Sequence, residues 1–271
     1  MKLASLMHGR DGRLVVVSQD LTRATDAFPV VATLQAALDD WERYAPRLAD
    51  LAEGLEHGAV PSFRFHEHDC AAPLPRAYQR LAAPAADAPL RHESADTPLG
   101  SREPFRSASD EGGIGFQAEV VVVTGDVPMG VTGEAALDHI RLVMLANGAG
   151  LQSDAGATAK PSGAYSPVAV TPDELGQGWR DGKGHLLLLT QINGKLVGKP
   201  DVGAGTTSGF GALIAQAARR RRLGAGTLVA AALAGQGPDR LRFGDTVRLE
   251  MKDAAGHSIF GAIEQEILPG G

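Results

Sequence analysis

Cysteine is nearly absent: Cys70 is the only one in 271 residues. Neither an internal disulfide nor a Cys-rich zinc cluster can therefore hold this chain together. Aromatics are scarce at 5%, which leaves Val, Leu and Ala to fill the core. No stretch approaches the roughly 18–20 apolar residues of a membrane helix. The opening MKLASLMHGRDG has one Lys and only a short apolar run before His8, Arg10 and Asp11, so it lacks the span of a signal peptide. Excess positive charge is missing too. With a net charge of −6 and a pI near 5.7, the chain does not favour wrapping a polyanion, which draws on clustered Lys and Arg. The expectation is a soluble, cytoplasmic protein that binds neither nucleic acid nor membrane.

What is present suits a globular fold. A hydrophobic fraction of 44% and a mean hydropathy of −0.07 allow a substantial core. Gly 34 and Pro 16 imply many turns joining short strands. Residues 2–6 and 14–18 (LVVVS) flank the Asp11-Gly12 turn and read as a hairpin. Residues 33–55 carry Leu34, Leu38, Trp41, Leu48, Leu51 and Leu55 at near-helical spacing, which predicts two short helices broken at Pro46. Residues 70–78 (CAAPLPRAY) form a proline-stiffened crossing, and residues 79–115 show little periodicity and read as a long loop region.

Residues 116–124 (FQAEVVVVT) form the best strand, with a β-branched run suited to burial on both faces. Thr132 can cap a helix carrying Leu137, Ile140, Met144 and Leu145 and ending at Asn147-Gly148. Thr171-Pro172-Asp173-Glu174 is a capping box. Asn193-Gly194 signals a hairpin between residues 185–192 and 196–197. Ser208 can cap a helix over 210–222. Strands over 227–233, 245–251 and 257–266 finish the chain, the last two joined by a turn at 253–256. Many strands with few helices indicate a β-rich α+β fold.

Three local motifs invite a functional reading, and each has a plainer one. His66-Glu67-His68-Asp69-Cys70 is rich in metal donors, but no further Cys or His lies at ligand spacing, so it reads as a solvated interdomain loop. Arg219–Arg222 falls in the last turn of a predicted helix, where cations complement the dipole. The Gly203–Gly209 loop lacks the Gly-Lys-Ser/Thr ending of a phosphate loop and the glycine spacing of a dinucleotide site. No Gly-x-Ser-x-Gly elbow exists, and no His can be paired with Cys70.

The order of segments resembles the bacterial members of the fumarylacetoacetate hydrolase superfamily. The resemblance is carried by MKLASL…GRLVVVSQDL, APLPRAYQ, FQAEVVVVTGDVPMG, KPSGAYSPVAVTPDELG and RFGDTVRLEMKDAAGHSIFGAIEQEI, which together span nearly the whole chain. It implies a small N-terminal α/β domain over 1–72, a β-roll domain over 73–271, and a homodimer. Enzymes of this kind use Mg²⁺, Mn²⁺ or Ca²⁺ to hold a β-dicarbonyl or 2-oxo acid. The cation stabilises the enolate left when a C–C bond breaks, and it needs several carboxylate oxygens.

The family supplies a Glu-x-Glu pair on the long strand, an Asp after the following helix, another Asp from an upstream aromatic-rich segment, and a His near that segment. Here the pair reads Gln117-Ala118-Glu119. The motif Asn-Asp-x-Ser-x-Arg reads Asn147-Gly148-Ala149-Gly150-Leu151-Gln152, and no match to the upstream segment follows Tyr78-Gln79. Glu119 is thus the one retained metal ligand. By resemblance Lys160, in the KPxxAxSP motif, and Glu119 are the catalytic candidates, while Thr227, Gln117 and Gln152 are the substrate-binding ones. No metal cofactor is expected, and only weak Mg²⁺, Mn²⁺ or Ca²⁺ binding is compatible with one carboxylate. Asp154, Asp87, Glu93 and Asp96 are the carboxylates placed to compensate.

Three functions stay open. One is a rebuilt enzyme in which Lys160 and Glu119, with His92 as an additional candidate, act on a small carbonyl compound by cyclisation, isomerisation or addition. The second is an inactive binding or partner subunit, and the third a metal-dependent C–C hydrolase with relocated ligands.

Overall fold

The computed structural model describes residues 1–83, 89–148, 150–151, 163–205, 209–233 and 240–270. The chain opens with a hairpin of β1 (Lys2–Leu6) and β2 (Arg13–Val17), paired from Lys2↔Val17 to Leu6↔Arg13. Strands β3 (Arg23–Asp26) and β4 (Phe63–Arg64) extend one edge of it. The other edge, along β1, pairs with β13 (Ala169–Val170). The N-terminal strands are thereby built into one eleven-stranded sheet.

That sheet runs β4-β3-β2-β1-β13-β10-β9-β18-β5-β6, with β12 (Ala164–Tyr165) beside β10. Its central strands are β10 (Ile140–Asn147), β9 (Ala118–Thr124) and β18 (Thr227–Ala232). The far edge is β5 (Arg80–Ala83), parallel to β18, and β6 (Arg91–Glu93). All seven residues of β9 are buried, as its β-branched run predicts.

A second sheet, in the order β17-β16-β19-β20-β7, comprises β7 (Phe105–Ser107), β16 (Leu187–Ile192), β17 (Lys195–Gly198), β19 (Thr246–Lys252) and β20 (Ser258–Pro269). Two short ribbons accompany it, β8 (Ile114–Gly115) with β11 (Gly150–Leu151) and β14 (Trp179–Arg180) with β15 (Lys183–Gly184).

Alternation along β9 sorts its side chains into two cores. Ala118, Val120 and Val122 belong to a core shared with Leu249, Ile263 and Ile267 of the second sheet and with helix α5 (Phe210–Ala217). Val121 and Val123 belong to the other, built with Leu34 and Leu38 of α1 (Leu34–Asp39) and Leu48 of α2 (Trp41–Glu56). Two single-turn helices, α3 (Gly133–Ala136) and α4 (Val202–Gly205), complete the α-helices among the described residues.

Several expectations hold. Asn193 and Gly194 turn β16 into β17 with φ of 49° and 74°, the left-handed pair of a tight hairpin. The turn at 253–256 joins β19 to β20. Others are corrected. The predicted helix from Thr132 shrinks to α3, which Thr132 caps through Ala135 N. Residues 140–147 are instead strand β10, because Ile-Arg-Leu-Val-Met-Leu-Ala-Asn is apolar on both sides and pairs along its length with β9. A short apolar run cannot by itself distinguish a buried helix from a buried strand.

The break in the N-terminal helices falls at Asp40, and Pro46 sits inside α2. The 79–115 stretch contains β5, β6, β7 and β8 and is not simply loop. Helix α5 ends at Ala217, so Arg219–Arg222 lie beyond it. The element after Thr171 is a 3-10 helix without a side-chain cap. Ser208 lies outside the described residues.

Candidate active site

Glu119 lies on the face of β9 that looks toward α1 and α2. Directly opposite it on β10 is Ala146, and opposite Ala146 on β12 is Tyr165. Directly opposed residues point to the same face, and the small Ala146 leaves room between two larger side chains. Glu119 is 1% exposed and Tyr165 2% exposed. A carboxylate at that depth requires a partner.

The partner is Arg80, the first residue of β5, itself 1% exposed. Its guanidinium makes three charge-assisted contacts with side chains from three strands. Nη2 donates to Glu119 Oε2. Nε donates to Glu93 Oε2 on β6 at 2.9 Å. Nη1 donates to the Tyr165 hydroxyl at 3.0 Å, and the guanidinium carbon lies 5.8 Å from the centre of that ring. Burial draws the Arg80 pKa down, but Glu119, Tyr165 and Glu93 outweigh it and hold the guanidinium well above its usual value. Burial pushes the Tyr165 phenol up, with Arg80 opposing. The result is one fixed cation among two carboxylates and a neutral phenol.

The other predicted site residues fall around this cluster unevenly. Gln117 precedes β9, half-buried, and its carbonyl accepts from Gly148 N at 2.7 Å, which ties the ends of β9 and β10 together. Thr227 stands at the opposite end of β18, facing Thr124, whereas Glu119 faces Ala232. Five residues of strand separate the two levels, about 17 Å at the usual rise. The Thr227 hydroxyl accepts from Gln79 Nε2 at 2.8 Å and donates to Gly224 O at 2.7 Å. Gln79 Oε1 in turn accepts from Arg221 Nη2 at 2.6 Å. The structure does not bring Thr227 to Glu119.

His92 opposes Leu81, while Glu93 opposes Arg80, so the exposed His92 lies on the opposite face from the cluster. Of the carboxylates considered as compensation, Glu93 joins the cluster and Asp96 is exposed. Lys160, Gln152, Asp154 and Asp87 lie outside the described residues.

Nothing in the sequence singles out Arg80 or Tyr165. The only local cue is a Leu-Ala-Ala run opened by Arg80, too short to show a strand period. An arginine opening a buried strand needs a buried counter-charge. Among the described residues no group of three or more His, Cys, Asp or Glu side chains comes together to hold a metal. At His66–Cys70, Glu67 pairs with Arg102 and Cys70 is buried.

The comparisons agree with this architecture. Residues 1–76 match the family model described as fumarylacetoacetase N-terminal domain 2, and residues 75–268 match that of the fumarylacetoacetate (FAA) hydrolase C-terminal region. The chain belongs to the fumarylacetoacetate hydrolase family. No curated protein matches it.

Among solved structures, maleylpyruvate hydrolase from Sphingobium sp. SYK-6 is similar with a TM-score of 0.79 at 17% identity, covering 100% of both chains. The same enzyme in complex with manganese (II) ion and pyruvate gives 0.78 at 18% identity, again over 100% of both chains. Fumarylacetoacetate hydrolase from the psychrophilic Exiguobacterium antarcticum gives 0.72 at 18% identity, also covering 100% of both. At such identities the likeness establishes the fold.

Proposed function

We propose that this protein is a metal-independent enzyme of the family. It acts on a small carbonyl or β-dicarbonyl compound by cyclisation, isomerisation or addition. The observation that carries the reading is the Arg80–Glu119 pair. The carboxylate that relatives would offer to a divalent ion is engaged by a guanidinium. A doubly charged ion about 4 Å from that guanidinium would be repelled by roughly 8 kcal/mol at an effective dielectric near 20. Calcium wants 6–8 oxygen ligands. The described residues do not fit such an ion at Glu119.

In this reading Arg80 supplies the positive charge. Its described contacts use three of its five N–H donors. The remaining two would donate to the oxygen of a carbonyl on its way to an enolate, where fixed donors lower the barrier most. Glu119, Glu93 and Tyr165 orient the guanidinium. Lys160 is the candidate for polarising a second substrate oxygen, as the resemblance implies. A homodimer, a cytoplasmic setting and a domain division at residues 72/73 belong to the same proposal.

The test is turnover of a panel of 2-oxo acids and β-dicarbonyls, followed by proton NMR in excess EDTA. The expected result is EDTA-resistant conversion that Lys160→Ala abolishes without lowering the melting temperature. Conversion that requires added Mn²⁺ or Mg²⁺ would overturn it.

A second reading is favoured by the burial of Arg80 and Glu119, each 1% exposed. A closed cluster suits a non-catalytic binding or partner subunit. In that case no substrate in the panel turns over, and pull-down recovers a stoichiometric second protein.

A further inference from the structure

We infer that Arg80 is an internal stand-in for a divalent cation, and that removing its charge converts the Glu119–Glu93–Tyr165 cluster into a cation-binding site. Three oxygen-bearing side chains from three different strands converge on this one guanidinium: Glu119 from β9, Glu93 from β6 and Tyr165 from β12. Two of them are carboxylates. Each is met by a different nitrogen, so the oxygens surround the cation instead of lining up along one side of it.

That is the layout of a partial coordination shell whose centre is an organic ion. The strands hold it in place. Glu119 is fixed within β9 between β10 and β18. Glu93 is held opposite Arg80, and Tyr165 lies opposite Ala146. Truncating the arginine leaves these oxygens around a space the size of the guanidinium and its stem. A small hard cation that keeps several waters can use one or two carboxylates in such a space. Both carboxylates lose the Arg80 charge at the same moment, and the fully buried Glu119 gains most from a cation that replaces it.

This inference shares the metal-free starting point of the proposed function but does not need turnover. The experiment compares wild type, Arg80→Gln and Arg80→Gln/Glu119→Gln for Mn²⁺ binding by electron paramagnetic resonance and for melting temperature with and without Mn²⁺. Gln keeps much of the side-chain volume and removes the charge.

Wild type should bind no Mn²⁺ tighter than about millimolar and show no shift in melting temperature. Arg80→Gln should bind one Mn²⁺ per chain at least about tenfold tighter than wild type, and Mn²⁺ should restore part of its lost thermal stability. The double variant should lose that binding. A folded Arg80→Gln protein that binds no Mn²⁺ would overturn the inference alone. If Arg80→Gln fails to fold, Arg80→Ala is refolded in Mn²⁺, and failure of both variants with the ion present also overturns it. Tight Mn²⁺ binding by wild type that Glu119→Gln abolishes would sink this inference and the metal-free reading together.

Discussion

Arg80 and Glu119 belong to strands with β18 between them, yet the guanidinium of one reaches across β18 to the carboxylate of the other. The pair is buried at both ends. Leaving either charge alone at that depth is costly, whereas removing both can be nearly neutral. Arg80→Ala should therefore cost about 3–5 kcal/mol in urea unfolding. The double variant Arg80→Ala/Glu119→Ala should cost clearly less than the sum of the two single variants. Additive losses, within a few tenths of a kcal/mol, would show that the pair is not coupled.

Tyr165 is the neutral member of the same cluster. Its hydroxyl accepts from Arg80 Nη1 at 3.0 Å, and hydrogen bonds to charged groups contribute about 1.5–3 kcal/mol. Tyr165→Phe removes the acceptor and keeps the ring under the guanidinium. The expected loss is about 1–2 kcal/mol by chemical denaturation, with no change in overall fold by circular dichroism. A variant as stable as wild type would show that the hydroxyl contact contributes nothing.

Much of the sheet was legible because its strands are nearly pure apolar runs between turn residues. Asn193-Gly194 and Asp11-Gly12 mark two hairpins whose flanking strands pair as expected. Residues 140–147 place apolar groups at spacings compatible with a helix, and their commitment to strand comes from pairing with β9, which no local pattern reveals. The 79–115 stretch was opaque because β5, β6 and β7 are each only three or four residues long. Too few alternations occur there to show a period.

The site was half legible for a similar reason. Glu119 stands out because it interrupts a buried β-branched strand, and a carboxylate there demands an explanation. Its partner could not be read from spacing: Arg80 precedes it by 39 residues and Tyr165 follows Arg80 by 85. Glu93 entered only as one of several carboxylates, and its pairing opposite Arg80 across β5 and β6 singles it out from Asp96. Thr227 shows the converse. The Gly-x-Gly-Thr turn is plain in the sequence, but the strand it opens carries Thr227 to the wrong end of the sheet for Glu119.

Thr227 accordingly separates a structural role from a substrate-binding one. Its buried hydroxyl links Gln79 to the Gly224 carbonyl. Thr227→Val should cost about 1 kcal/mol of stability by removing both hydrogen bonds of the hydroxyl, and Thr227→Ser should recover most of it. Thr227 alternates along β18 with Leu228 and Ala230, which share the core on the Glu119 side, so its side chain lies on the opposite face of the sheet from the Arg80 cluster, and KM for any substrate bound at Arg80 should stay within about twofold of wild type. A tenfold rise in KM with stability intact would return Thr227 to the substrate site.

Cys70 offers a pH-dependent test that avoids the ion cluster. Its thiol is buried, and burial, with Glu67 and Asp69 adding their negative charge, pushes its pKa up to about 12. Only the thiolate attacks disulfide reagents, so the native thiol should react with a chromogenic aromatic disulfide at pH 8 far more slowly than the same thiol in urea. The sign of the linked stability follows. The unfolded thiol begins to ionise near its ordinary value of 9.0 while the folded one stays protonated. The contribution is therefore complete below that pH, and it is lost as pH rises through the window up to about 12. Cys70→Ala should flatten this part of the stability profile. Rapid labelling of the folded protein at pH 8, at a rate indifferent to denaturant, would show that the β1 hairpin and the 66–70 turn open readily enough to expose the thiol without unfolding the sheet.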